Sequence, residues 1–348
     1  MTENPNVLPA HRFDERRLEE WLAANLDGFA GPMTVSEFKG GQSNPTYRLT
    51  TLDASYVLRR KPPGTLLPSA HAVDREYRII HALAETDVPV PRTFLLCEDE
   101  SVVGTMFYVM DFLDGRIFFD PRLPEISSDQ ERAAIFDAMN EVIAALHNVG
   151  YKAVGLGDFG REGGYVARQI GRWSKQYKAS ETDSIDTMER LMAWLPEHLP
   201  AHDETTLVHG DFRLDNLVFH PTEPRVIGVL DWEIATLGNP LADFAYHVMA
   251  WRVSPDEFRG LREVDIAALG IPGEDAYVAA YAKRTGRDAL PDWEFYMAYN
   301  LFRMAAILQG IMGRVRDGTA ANPEAARMGA LVRPLADLAW AQAEKIGD

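Results

Sequence analysis

The sequence predicts an α+β protein of two lobes, a small antiparallel-β N-lobe followed by a large α-rich C-lobe. Three observations predict it. Short runs rich in Val, Tyr, Thr and Phe crowd the first 110 residues. Apolar residues at helical spacing dominate from about residue 128 onward. One compact island, Thr206–Leu230, interrupts the helices with two apolar runs around a polar loop. The expected boundaries are an N-lobe over 1–110, a connecting hinge over 111–116 and a C-lobe over 117–348.

The elements follow in order. Asp14–Asn25 places Leu18, Trp21 and Leu22, with Leu26 beyond, at helical spacing. Met33–Lys39, Thr46–Thr51 and Ser55–Arg60 read as strands, separated by Gly-Gly and Leu-Asp turns. Ala70–Thr86 reads as a helix with Val73, Tyr77, Ile80 and Leu83 on one face, and Pro89 and Pro91 stop it. Thr93–Cys97 and Met106–Met110 complete a β-β-β-α-β-β order behind the leading helix. In the C-lobe, Ser128–Asn148 is a long amphipathic helix lined by Ile135, Met139, Val142, Ile143 and Leu146. Further helices are expected near 164–180 and 184–195, and the stretch from about 240 to 346 reads as almost wholly helical.

Composition narrows the function classes. The 348 residues are 46% hydrophobic and 25% charged, an ordinary globular balance. Runs such as Val226–Leu230 and Met304–Ile311 fall far short of the roughly 20 apolar residues a membrane helix needs. The polar stretch Met1–Arg12 lacks the apolar core of a secretory signal. A single cysteine, Cys97, excludes an internal disulfide and a Cys-based zinc site, so a reducing cytoplasm is expected and no membrane partner. A net charge of −17 argues against non-specific nucleic-acid binding. It names no cationic substrate, because acidic balance also serves solubility.

The chemistry concentrates in Leu207-Val208-His209-Gly210-Asp211-Phe212-Arg213-Leu214-Asp215-Asn216-Leu217-Val218-Phe219. An apolar strand delivers a polar loop and a second strand takes the chain away. Further on, Val226–Leu230 ends at Asp231-Trp232-Glu233. Two acids and an amide at strand ends suit phosphoryl transfer, whose transition state is mostly charge to be positioned and stabilised. Asp211 suits the base that accepts the proton of an attacking hydroxyl. Asn216 and Asp231 supply the hard oxygens that Mg²⁺ favours beside phosphate. The other use of these side chains would be to cap a turn, through Asp211 and Asp215, and to satisfy the loop, through Asn216.

His209-x-Asp211-x₄-Asn216 followed by Asp231 resembles the catalytic loop and metal-binding Asp of the protein-kinase-like fold. Gly210, and Asp231-Trp232-Glu233 in place of Asp-Phe-Gly, resemble the aminoglycoside phosphotransferase and choline kinase branch. More closely, Gly40-Gly41-Gln42-Ser43-Asn44-Pro45-Thr46-Tyr47 and Tyr56–Gly64, with His209–Asn216, resemble the phosphotransferase-like domain of acyl-CoA dehydrogenase family members 10 and 11. The resemblance spans nearly the whole chain. It implies a bilobal protein-kinase-like fold, ATP and Mg²⁺ as cofactors, and a small-molecule hydroxyl acceptor.

The resemblance also assigns supporting residues. Gly40, Gly41, Ser43 and Asn44 would form a hairpin whose backbone N–H groups approach phosphate, although a plain β-turn explains two glycines equally well. Arg59 occupies the place of the kinase phosphate-binding lysine, and Lys61, on the same strand face, is the other candidate. Glu76 resembles the helix glutamate that pairs with that cation. Met110, Asp111 and Leu113 fall in the hinge that would meet adenine, Met110 at its back wall. Arg213 would reach the γ-phosphate or else pair with Asp215 or Glu233. His209 and Asp243 would anchor the loop.

The acceptor is less legible. Arg168, Arg172, Lys175 and Lys178 share one helix face. With the family resemblance, that face suggests an anionic acceptor such as a hydroxyacyl-CoA; the alternative is a solvated helix face. The alternatives are an aminoglycoside-type antibiotic kinase and a catalytically silent nucleotide-binding scaffold. A protein kinase is disfavoured, because no Ala-Pro-Glu-type segment follows Asp231. Sequence alone leaves the oligomeric state open.

Overall fold

The computed structural model describes residues 4–38, 44–64, 71–318 and 325–346. Helix α1 (Glu15–Asn25) leads into strands β1 (Thr34–Glu37), β2 (Thr46–Thr50) and β3 (Ser55–Arg60), helix α2 (Val73–Leu83), and strands β4 (Thr93–Cys97) and β5 (Phe107–Asp111). Helices α3 (Asp129–Asn148), α4 (Tyr165–Ser180) and α5 (Asp186–Glu197) follow. Strands β6 (Thr206–Val208), β7 (Leu217–Phe219), β8 (Val226–Val229) and β9 (Thr236–Gly238) alternate with 3₁₀ turns. Helices α6 (Pro240–Val248), α7 (Pro255–Phe258), α8 (Glu274–Arg284), α9 (Trp293–Arg316), α10 (Ala325–Gly329) and α11 (Val332–Ala343) complete the chain. Among the described residues no helix is long and apolar enough to cross a membrane.

The chain divides into two compact units, Met1–Arg116 with Leu217–Ile234, and Ile117–Asn216 with Ala235–Asp348. The first is built on a five-stranded antiparallel sheet in the order β1-β2-β3-β5-β4. Strand alternation explains its core: Tyr47 and Leu49 of β2 and Leu58 of β3 face inward, where Leu18 and Leu22 of α1 join Phe107 and Val109 of β5. Asp14 caps α1 by accepting the Arg17 N–H. The same alternation sends Arg59 and Arg60 to opposite faces. Arg60, buried, donates to the Tyr47 hydroxyl and to the carbonyls of His11 and Val103, so it is structural.

The β7–β8 hairpin belongs to this first unit. Val229 N–H donates to the Pro89 carbonyl at 2.8 Å, and Arg116 and Phe219 exchange backbone hydrogen bonds. Gly115 must be glycine there, because a Cβ would lie 2.3 Å from the Phe219 carbonyl oxygen.

The second unit is helical around α9, which buries residues on all sides against α4, α6 and α11. Its one sheet among the described residues pairs β6 with β9, Thr206 opposite Gly238. The sequence reading expected one strand into the polar loop and one out. The structure has both, β6 into the loop and β7 out of it, and gives each a partner: β6 pairs with β9, which was not expected, and β7 with β8. A three-residue strand such as β9 carries too little alternation to be read.

Candidate active site

In the second unit, β6 ends at Val208 and the chain turns through Gly210, whose φ of +82° suits glycine. Asp243, in the first turn of α6, accepts the N–H groups of His209 and Gly210, each at 2.8 Å, and pairs with His147 Nε2 at 3.2 Å. Burial alone would raise the Asp243 carboxyl, but these hydrogen bonds and the imidazoles of His147 and His209 hold it below the usual range. His209 is fully buried, and its Nδ1 accepts the Asp211 N–H, which leaves the other ring nitrogen as the donor. From α9, Arg303 donates to the Gly210 carbonyl at 2.7 Å. The loop backbone is therefore held by two helices, α6 through Asp243 and α9 through Arg303, with His147 of α3 behind Asp243.

That loop presents Asp211. Its Oδ1 accepts the Tyr246 hydroxyl at 2.6 Å and faces Arg213 Nε at 3.0 Å; its Oδ2 accepts Asn216 Nδ2 at 3.1 Å. Burial, then the Asp211 charge, pushes the Tyr246 phenol far above its usual range, so it stays a donor. Asn216 Nδ2 also donates to the Asp211 carbonyl at 2.8 Å. Both protons of the amide are thus turned toward Asp211, and the Asn216 Oδ1 is the remaining acceptor of the amide. Arg213 pairs with Asp215 at 3.3 Å as well, and Arg259 meets the same carboxylate at 3.1 Å.

In the first unit a second polar cluster forms around Arg59. Its guanidinium pairs with Glu76 at 2.8 Å, Asp231 at 2.8 Å and Glu233 at 3.8 Å. Glu76 also accepts from Asn44 Nδ2 at 2.9 Å and from the Tyr108 hydroxyl at 3.0 Å. His71 Nδ1 lies 3.0 Å from Asn44 Oδ1. Arg59 stays protonated throughout. Burial acts on Glu76 instead, pushing it up to about 7; Arg59 opposes that rise, and Asp231 and Glu233 support it. Asp231 itself sits at φ +64°, in the left-handed region that Asp tolerates better than most residues. Its side chain is 35% exposed.

The remaining expected residues fall as follows. Gly40, Gly41 and Ser43 lie outside the described residues. Lys61 follows the end of β3 and pairs with Asp74 at 3.6 Å, apart from the Arg59 cluster. Met110 is buried in β5 opposite Val57, and Asp111 N–H is taken by the Arg92 carbonyl. Leu113 packs so closely on Gly228 of β8 that a Cβ there would lie 2.1 Å from Leu113 Cδ1. On α4, Arg168 turns its guanidinium back onto the carbonyls of Arg161 and Gly163, while Arg172 is exposed beside Trp173. Tyr246, Arg303 and His147 were not singled out from sequence. Among the described residues no group of three or more His, Cys, Asp or Glu is arranged to hold a metal alone. Mg²⁺ does not demand one, since it is commonly bound by one or two protein oxygens together with phosphate and water.

The fold is that of the protein-kinase-like phosphotransferases. The chain belongs to the phosphotransferase enzyme family, whose model matches residues 34–299. It is 54% identical to a Ralstonia eutropha protein of known structure, named provisionally as an aminoglycoside phosphotransferase; the match covers 96% of this chain and 99% of that one, with a TM-score of 0.89. Choline kinase from Cryptosporidium parvum shares the fold, at a TM-score of 0.68 and 10% identity over 96% of each chain. Among curated relatives, mouse acyl-CoA dehydrogenase family member 10 is 47% identical over 99% of this chain, and human family member 11 is 41% identical over 95%. The chain spans only 33% and 43% of the length of those two relatives.

Proposed function

We propose that the chain transfers the γ-phosphate of ATP, in the cytoplasm and with Mg²⁺, to a hydroxyl of a small-molecule acceptor. The observation that carries this reading is the state of Asp211: a part-buried carboxylate, fixed by Tyr246 and Asn216 on a loop whose backbone is itself pinned. Asp211 accepts the proton of the acceptor hydroxyl as its oxygen bonds to the γ-phosphorus and the bond to the departing ADP breaks. Asn216 Oδ1 and the Asp231 carboxylate would hold Mg²⁺, which supplies charge neutralisation to the phosphates. Their fit rests on the remaining acceptor oxygen of the Asn216 amide and on the partly exposed Asp231 carboxylate. Arg59 binds the α- and β-phosphates, held by Glu76; its position against Asp231 favours it over Lys61. Gly40, Gly41, Ser43 and Asn44 cover the phosphates, and Met110, Asp111 and Leu113 receive adenine. His209 and Asp243 anchor the loop, and Arg213 stabilises charge on the phosphoryl group in flight.

For the acceptor we favour an anionic hydroxyacyl compound such as a hydroxyacyl-CoA. The curated relatives that contain a region like this chain are named as acyl-CoA dehydrogenase family members, which supports an acyl substrate. On α4, Arg172 remains the better candidate for contacting it, since Arg168 is committed to its own loop. An aminoglycoside acceptor is the second reading, favoured by the name of the Ralstonia protein. The test is Mg-dependent ADP release in the presence of hydroxyacyl-CoA or aminoglycoside, with Asp211→Ala as control. Acceptor-stimulated release that falls roughly 10²–10⁴-fold in the variant is expected. Equal rates in variant and parent would refute the role of Asp211.

A further inference from the structure

The second unit contains a chamber beside the Asp211 loop. Its floor is Phe136, Met139 and Val253, all buried, and Tyr246 forms the wall nearest the loop. Its internal volume is 70 Å³. That is room for roughly five waters, and so for a slender apolar group. The only imidazole in its lining, His247, bonds to the Tyr277 hydroxyl at 2.7 Å and is kept neutral by burial. A chamber lined this way offers little to a hydrated polar ligand. The rim differs: Arg213 and Arg259 meet there across Asp215, and Phe119 stands 60% exposed.

We propose that this chamber binds the straight hydrocarbon tail of the acceptor and sets which chain lengths are phosphorylated. Two features of the chamber select that occupant. The Tyr246 side chain that walls the chamber places its hydroxyl 2.6 Å from the Asp211 carboxylate, so a chain seated there carries its hydroxyl beside the base. The rim supplies the exposed Arg259 guanidinium to a carbonyl-bearing portion lying outside, while the buried floor supplies apolar contact. Ala250, on the chamber lining and half-buried, and Phe258, at its outer side, are the positions that set its depth and width. The proposal rests on the reading of the chain as a kinase with an acyl-type acceptor and adds the tail site to it.

The experiment uses hydroxyacyl thioesters of fixed hydroxyl position and increasing tail length. Calorimetry gives their binding without turnover, and ADP release gives kcat/KM. In the parent protein both affinity and kcat/KM should rise about threefold to fourfold for each added methylene until the chamber is full. Ala250→Phe should cut kcat/KM for a long-tailed acceptor at least tenfold more than for a short one. Phe258→Ala should move the optimum to longer tails. Binding that grows with tail length without any phosphoryl transfer would keep the chamber and refute the kinase reading. Transfer with no dependence on tail length, in the parent and in both variants, would overturn the chamber.

Discussion

Asp211 owes its state to residues far from it in sequence. Tyr246 lies 35 positions on, and Arg303, which fixes the peptide at Gly210, lies 93 positions from it. The motif that reveals Asp211 and Asn216 is contiguous and could be read directly. No spacing rule connects either residue to Tyr246 or Arg303, because that link is made only when α6 and α9 pack. Tyr246→Phe removes one hydrogen bond to a charged group. The expected loss is about 1.5–3 kcal/mol of positioning, read as a fall in kcat of roughly tenfold to a hundredfold with the KM for ATP little changed. An unchanged kcat would show that Asp211 needs no such support. Around Arg59 the legible part was the Arg59–Glu76 pair, whereas Asn44 and Tyr108 as further donors to Glu76 were not foreseen. Glu76→Ala leaves a buried guanidinium short of its main partner. Destabilisation by about 3–5 kcal/mol in denaturant titration is expected, with a raised KM for ATP.

At the scale of elements, legibility followed length and punctuation. Strands β3 and β4 were read at their observed bounds, because turn residues flank clear β-branched and aromatic runs. Helices α1 and α3 were expected to begin at Asp14 and Ser128, which prove to be their capping residues. Strand β9 escaped, as did the turn-rich chain between α7 and α8, where Leu261 N–H is tied to the Ala250 carbonyl within a stretch that looked helical. Two substitutions test how firmly elements are joined. Gly115→Ala would drive a Cβ into the Phe219 carbonyl, a backbone atom that cannot swing aside. A loss of about 1–3 kcal/mol is expected by thermal or chemical denaturation. Asn239 caps α6 by accepting the Leu241 and Ala242 N–H groups. Asn239→Ala should cost about 1–2 kcal/mol and, because α6 carries Asp243 and Tyr246, should lower kcat as well.

For the molecule as a whole, acid sensitivity has an identifiable source. Burial lowers the His247 imidazole to about 4 from its usual 6.5. Between those two values the unfolded chain binds a proton that the folded chain refuses, so stability rises with pH across that window. His247 thus contributes stability that is present above pH ~6.5 and lost as pH falls through about 4, roughly 3 kcal/mol in all. Glu76, whose carboxyl is raised, acts in the opposite sense over an overlapping range. Comparing the parent with His247→Gln isolates the histidine: the parent should lose about 3 kcal/mol more than the variant between neutral pH and pH ~4. A constant difference between the two would exclude His247 as the source. The bilobal α+β class was legible because composition, period and motif agreed along the whole chain. What could not be read was that the chain leaves the second unit at Asn216, completes the first with 217–234, and returns at Ala235. This return has a consequence for biosynthesis. A nascent polypeptide that has emerged only as far as Arg116 still lacks the hydrogen bond that Val229 gives to Pro89 and the carboxylate that Asp231 gives to Arg59. The N-terminal lobe therefore matures only after nearly half of the second unit has been synthesised, and a fragment ending at Arg116 should be recovered as a loosely ordered, protease-sensitive species.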